Sequence, residues 1–197
     1  MRNILFYTLL FLFPFALSAQ VVWTGGGGDN SWNTSANWDT GTVPINTDIV
    51  TFNAGISVVV SGTTGEAARL NITAGADVTL NLDLTIGTAT SAGLSVFLGN
   101  SVSLTFGIGT FSILNDGNSF GITMPNASNL NISSDATVNI GQSDIGIRID
   151  NASASFVNDG LINISDYTIT GFLINTGNGI NNGTITVNAP AAGAALD

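Results

Sequence analysis

The chain has 197 residues, with 13 acidic residues against three basic ones, and it contains neither histidine nor cysteine. Nucleic acid is excluded as a partner because phosphate neutralisation needs clustered lysine or arginine. The missing histidine removes the commonest metal ligand and the usual acid–base group near neutral pH, and the missing cysteine removes disulfides. We therefore expect no metal, no cofactor and no catalytic residue.

Residues 1–19 have the composition of a secretory signal peptide. Arg2 gives a positive start, an apolar run from Ile4 to Leu17 follows, and the small residues Ser18 and Ala19 come next. This pattern predicts export and cleavage after Ala19. The run is shorter than the roughly 20 apolar residues of a membrane helix, so no transmembrane span is expected in the mature chain.

Residues 20–54 combine tryptophan and glycine. Gly25 to Gly28 are consecutive, and Trp23, Trp32 and Trp38 surround them. Bulky indoles would cover the open end of a stack of strands, while glycines would let the backbone bend sharply. We predict an N-terminal cap. The alternative is a glycan-binding module in which the three tryptophans stack on sugar rings, which requires at least two coplanar, exposed indoles.

Residues 55–197 carry a repeated pattern of alternating apolar residues. One unit contains Leu70, Ile72, Val78, Leu80 and Leu82. A shift of 24 residues gives the matching set Leu94, Val96, Val102, Leu104 and Phe106. A further shift of 36 gives Leu130, Ile132, Val138 and Ile140. Alternation with a period of two places these side chains on one face of a strand.

Turn signals recur between these strands. Asn115-Asp116-Gly117, Asn158-Asp159-Gly160 and Asn181-Asn182-Gly183 have glycines 43 and then 23 residues apart, which suits a unit of about 22 residues. Such a short unit cannot bury its apolar face alone, so it must stack. We predict an all-β protein, a single-stranded parallel β-helix of six or seven turns over residues 55–197. Because Asn-Gly turns also suit hairpins, an antiparallel sandwich remains the alternative.

The N-terminal segment also resembles a known family. It contains Trp23-Thr24-Gly25, Trp32, Asn37-Trp38, Pro44 and a strand from Asp48 to Phe52. This arrangement is similar to the N-terminal segment of bacterial exoproteins with autotransporter-associated β-strand repeats and adhesin-like β-helical regions. The resemblance implies an extracellular or outer-surface protein whose partners are host or environmental surface glycans or proteins. Without a C-terminal barrel or sorting domain, the chain is expected to be truncated.

The expected function is therefore a non-catalytic surface stalk or adhesin-like segment. A carbohydrate-active enzyme is the remaining alternative, and it would need two carboxylates about 5–10 Å apart in a groove. A lyase would also need a base and positive charge. Arg69 and Arg148 are the only cations after the signal peptide, and each is expected to pair with an acid such as Glu66 or Asp150.

Overall fold

The computed structural model describes residues 19–87, 94–114 and 120–188. The predicted signal peptide, apart from Ala19, and the Asn115-Asp116-Gly117 turn lie outside these ranges. Fourteen strands and one 3-10 helix form the described chain, which is all-β as predicted. Their bounds are β1 (Gln20–Val22), the 3-10 helix (Ser35–Asn37), β2 (Ile49–Phe52), β3 (Ser57–Ala67), β4 (Arg69–Ile72), β5 (Asp77–Ile86), β6 (Leu94–Leu98), β7 (Val102–Leu114), β8 (Phe120–Met124), β9 (Ser128–Ile132), β10 (Ala136–Gly141), β11 (Ile145–Asn158), β12 (Leu161–Ile164), β13 (Thr170–Asn181) and β14 (Thr184–Val187).

All pairings between these strands are parallel, and they form three ladders along one axis. Ladder 1 contains β1, β2, β4, β6, β8 and the first parts of β11 and β13. Ladder 2 contains the first parts of β3, β5 and β7, then β9 and the last parts of β11 and β13. Ladder 3 contains the last parts of β3, β5 and β7, then β10, β12 and β14. The described chain is thus a parallel β-solenoid of about six turns, and the antiparallel sandwich is wrong.

Alternation along each strand builds the interior. In β5, for example, Val78, Leu80, Leu84 and Ile86 are buried. Stacking in register places aliphatic and phenylalanine side chains from successive turns on one another, so the turns share one continuous core. A turn of this size buries its apolar side chains only against its neighbours, which is why the pattern must repeat.

The alignment of the predicted units needs correction. Leu70 pairs with Val96 and Val78 pairs with Leu104, a spacing of 26 residues rather than the predicted 24. The error of two residues was invisible in the sequence because strand side chains alternate with a period of two, so the same face stays apolar. The predicted shift of 36 is also wrong: it compared β6 of ladder 1 with β9 of ladder 2, whereas Leu130 pairs with Leu104.

The turns at Asn158-Asp159-Gly160 and Asn181-Asn182-Gly183 stack on each other at one corner of the solenoid. The Nδ2 atom of Asn158 donates to the Oδ1 atom of Asn181 in the next turn at 2.7 Å. Beside this pair, Asn182 donates to the carboxylate of Asp159 at 2.8 Å. Side chains at equivalent positions on successive turns therefore bond along the axis, and neither motif closes a hairpin.

The predicted boundary between cap and repeats also moves. β1 and β2 both lie within residues 20–54, yet they already belong to ladder 1. The part that stands outside the ladders is residues 23–48, and this segment is called the cap below. The described residues contain no helix with the length and hydropathy of a membrane span.

Candidate functional site

The N-terminal ends of the three ladders are closed by β1 and the cap together. β1 lies on β2 and so covers ladder 1. Ladder 2 is covered by a single parallel bridge between Ser31 and Ser61, in which the Trp32 N–H donates to the Ser61 carbonyl at 2.7 Å. On ladder 3 the Asn33 side chain replaces a strand, since its Nδ2 atom donates to the Thr64 carbonyl at 2.9 Å. The edge that would otherwise invite pairing with another chain is thereby occupied.

The three tryptophans are buried inside this closure. Trp23, Trp32 and Trp38 are 3%, 0% and 2% exposed. Trp38 meets both others edge to face, with ring centroids 4.9 Å from Trp23 and 4.8 Å from Trp32. None of the indoles is exposed, and Trp38 is coplanar with neither of the others, so the requirement for sugar stacking on Trp23, Trp32 and Trp38 is not met. They pack on the end of the core because that is where the first turn leaves apolar surface uncovered.

Asn37 and Asp29 hold the cap together from within. Asn37 is fully buried, and its amide donates to Asp29 Oδ1 at 2.7 Å and to the Ser31 carbonyl at 2.9 Å. Its Oδ1 atom accepts the Gly27 N–H at 2.7 Å. Hydrogen bonds from the Thr34 hydroxyl, the Ser31 N–H and Asn37, in that order of importance, hold the pKa of Asp29 below its ordinary value. Asp29 thus organises a turn, and the bond from the Gly27 N–H to Asn37 ties the glycine run to it.

The glycines serve two different needs. Gly25 and Gly28 have positive φ angles of 67° and 74°, a conformation that costs other residues about 1–2 kcal/mol. A Cβ atom on Gly26 would lie 2.7 Å from the Ala36 carbonyl oxygen, and one on Gly27 would lie 2.7 Å from Asn37 Oδ1. Packing therefore requires glycine at positions 26 and 27, and backbone conformation favours it at positions 25 and 28.

A groove runs along ladder 3 beneath the cap, and it is called the axial groove below. It has a volume of about 540 Å³, and Val43, Pro44, Trp32 and Gly65 contribute to its lining at the capped end. Its floor is a grid of outward side chains from three successive turns. One column is Glu66, Thr85 and Ser112, and the other is Thr64, Asp83 and Thr110.

Most polar side chains of the grid make no hydrogen bond to another described residue. Asp83 accepts the Thr110 N–H at 2.7 Å, yet the side chains of Glu66, Thr85 and Ser112 make no hydrogen bond to another described residue. In the following turns of the same column, side chains do bond between turns, since Asn139 pairs with Ser112 and accepts from Asn163 at 2.9 Å. The grid therefore combines polar side chains, a defined volume and free hydrogen-bonding capacity.

Two carboxylates lie in the axial groove. Glu66 pairs with Thr85, and Thr64 pairs with Asp83, so Glu66 and Asp83 are diagonal neighbours with Cα atoms roughly 8 Å apart by sheet geometry. Both side chains are exposed. Asp83 already accepts a backbone N–H, which leaves Glu66 as the carboxylate without a partner among the described residues. Sequence reasoning missed this placement because it depends on which residues meet across turns.

The arginines lie on ladder 1, away from the axial groove. Arg148 forms an ion pair with Asp150 at 2.5 Å, as predicted. Arg69 lies over the ring of Phe97, with 5.7 Å from its guanidinium carbon to the ring centroid, and the expected pairing with Glu66 is absent among the described residues. Burial lowers the pKa of Arg69. Glu66 points outward from ladder 3, and this orientation separates it from Arg69.

The described residues contain no group of three or more acids, histidines or cysteines arranged to hold a metal ion. Several acids instead serve the stack, as Asp144 accepts the Thr168 hydroxyl of the following turn. Comparison of the chain with protein-family models, curated proteins and solved structures finds no match. The resemblance of residues 23–52 to surface exoproteins therefore stays a prediction.

Proposed function

We propose that the chain is a non-catalytic β-solenoid segment of an exported surface protein, acting as a stalk or adhesive surface. The observation that supports this most directly is that polar side chains on the outer surface bond to their equivalents one turn away. Asn163 donates to Asn139, and Asn131 donates to Thr105 at 3.4 Å. A surface that satisfies itself in this way suits a rigid rod, since each added turn brings its own hydrogen bonds.

Composition supports the same proposal. Residues 19–188 contain no histidine, lysine or cysteine, so the groups that usually activate a serine or threonine are missing from them and only carboxylates remain as candidate bases. Short polar residues dominate the outward positions, and the apolar stretch at residues 4–17 fits a secretion signal. Surface attachment and adhesion are the roles that a rigid exported rod serves best.

The test is an export experiment in a Gram-negative host. We expect the full chain to leave the cytoplasm with an N-terminus at Gln20, shown by intact mass. A Leu10→Arg variant, which breaks the apolar run, should remain unprocessed inside the cell. A Ser31→Ala variant serves as the control because it leaves the signal segment intact. Retention of the unaltered chain in the cytoplasm would contradict the proposal.

A further inference from the structure

We infer that the axial groove binds a neutral, extended glycan, an inference that deepens the proposed surface role and rests on it. The groove spans three turns, because each column of its grid takes one residue from β3, β5 and β7. Parallel strands are about 4.8 Å apart, so a ligand lying along the axis meets two new side chains per turn. A linear polymer with a short repeat fits this arrangement better than a compact molecule does.

The chemistry of the grid suits hydroxyl groups. Four of its six side chains are hydroxyls, namely Thr64, Thr85, Thr110 and Ser112. A hydroxyl both donates and accepts, and a carboxylate accepts, so together they can bond to sugar hydroxyls of either polarity. Glu66, Thr85 and Ser112 form a continuous column whose side chains have no partner among the described residues. A ligand that bonds to these side chains would displace water, and no hydrogen bond within the protein would have to break.

Charge disfavours an anionic polymer and gives a cationic one only a partial match. An anionic glycan would meet Glu66 and Asp83, and the described residues that line the groove include no lysine, arginine or histidine. A cationic peptide would gain from Glu66, but the Asp83 carboxylate already accepts the Thr110 N–H and the remaining four side chains are uncharged. A neutral ligand therefore matches more of the lining than a charged one.

The capped end of the groove adds an apolar wall. The half-buried Val43 lines this end and offers a surface for the C–H face of a sugar ring, and the neighbouring Pro44 is buried. Trp32 also lines this end, and its fully buried Nε1 atom has no hydrogen-bond partner. That indole edge lies against Gly65, where an added Cβ atom would be 2.8 Å from Nε1. Gly65 faces inward because it pairs with the buried Leu84, so Nε1 lies on the core side of β3 and not among the groups that face the groove.

The test is calorimetric titration of the purified full chain with three neutral β-1,4-linked hexasaccharides: cellohexaose, xylohexaose and mannohexaose. We expect at least one to bind, and we expect the double variant Thr85→Val/Ser112→Ala to bind it about tenfold more weakly, the loss of two hydrogen bonds. The matched control is Thr79→Val, because Thr79 is also a half-buried outward residue of β5 but lies on ladder 2. Its affinity should be unchanged.

Three results would overturn the inference: no binding of any hexasaccharide at millimolar concentration, an equal loss in the Thr79→Val control, or binding of hexalysine in place of the glycans with loss in Glu66→Gln. Export can still be observed in each case, so failure here is distinguishable from failure of the proposed function. Conversely, shortening of the bound hexasaccharide would support the groove as a glycan site and contradict the non-catalytic role.

Discussion

The two ends of the described solenoid contain equivalent residues in different surroundings. Phe52 of the first turn and Ile174 of the last described turn occupy the same inward column of ladder 1, yet they are 0% and 42% exposed. On ladder 3, Ala67 and Val187 are 0% and 45% exposed. Among the described residues, only the first turn has a layer beyond it, formed by β1 and the cap. The comparison shows that a turn is buried by its neighbours and that β1 and the cap act as the missing neighbour.

Removal of the Trp32 indole should have the largest effect on the stability of the protein. Trp32→Ala deletes a fully buried indole between the cap and the first turn, and we expect it to lower the free energy of unfolding by about 4 kcal/mol. Val187→Ala at the other end removes a half-exposed side chain and should cost less than about 0.5 kcal/mol. Urea denaturation followed by circular dichroism measures both. Equal losses would show that the cap does not bury the first turn.

Two glycine substitutions separate packing from backbone strain within the cap. Gly26→Ala places a methyl group 2.7 Å from the Ala36 carbonyl oxygen, so the backbone must move, and we expect a loss of about 3 kcal/mol. Gly28→Ala meets no atom within 4 Å and suffers only its positive φ angle, for which about 1 kcal/mol is expected. Thermal denaturation of the two variants distinguishes them. A larger loss for Gly28→Ala would mean that the turn is loosely packed.

The sequence predicted more of the ladders than of the cap. The apolar alternation of Leu70, Ile72, Val78 and Leu80 was sufficient for the parallel stack, since the face of each residue depends only on a period of two. The register was not predictable, because shifts of 24 and 26 residues give the same faces. Corners also vary, with register shifts between Ser61 and Thr64 and between Asp150 and Ser155.

The candidate site was less accessible to sequence reasoning. Trp23, Trp32 and Trp38 are buried because they pack against Phe52 and against one another. The general tendency of tryptophan to be buried or exposed does not predict these contacts. Glu66, Thr85 and Ser112 are separated by 19 and 27 residues, and these unequal spacings conceal their alignment. A signal was present, since all three occupy polar positions between apolar ones, but only the register joins them into a column.

The Asp29 network predicts an acid-sensitive cap. Its hydrogen bonds lower the pKa of Asp29 in the folded protein below that in the unfolded chain, so ionised Asp29 stabilises the cap above the unfolded value. This contribution is lost as the pH falls through the lowered folded pKa. Tryptophan fluorescence of the cap should change in this acidic range, and Asp29→Asn should remove that transition. A transition that persists in Asp29→Asn would have to come from another carboxylate.

At the end opposite the cap we expect the smallest effect on stability but a measurable effect on association between molecules. Ile180 is 55% exposed on β13, and a sheet edge with exposed apolar side chains favours pairing between molecules. Ile180→Lys should change the free energy of unfolding by less than about 0.5 kcal/mol while reducing the rise of apparent mass with concentration in light scattering. Val59→Lys is the matched control, because Val59 is 51% exposed on β3 beside the capped end. An equal reduction of association in the control would show that the added charge, and not the uncovered edge, lowers association. The two ends would then be equivalent as surfaces.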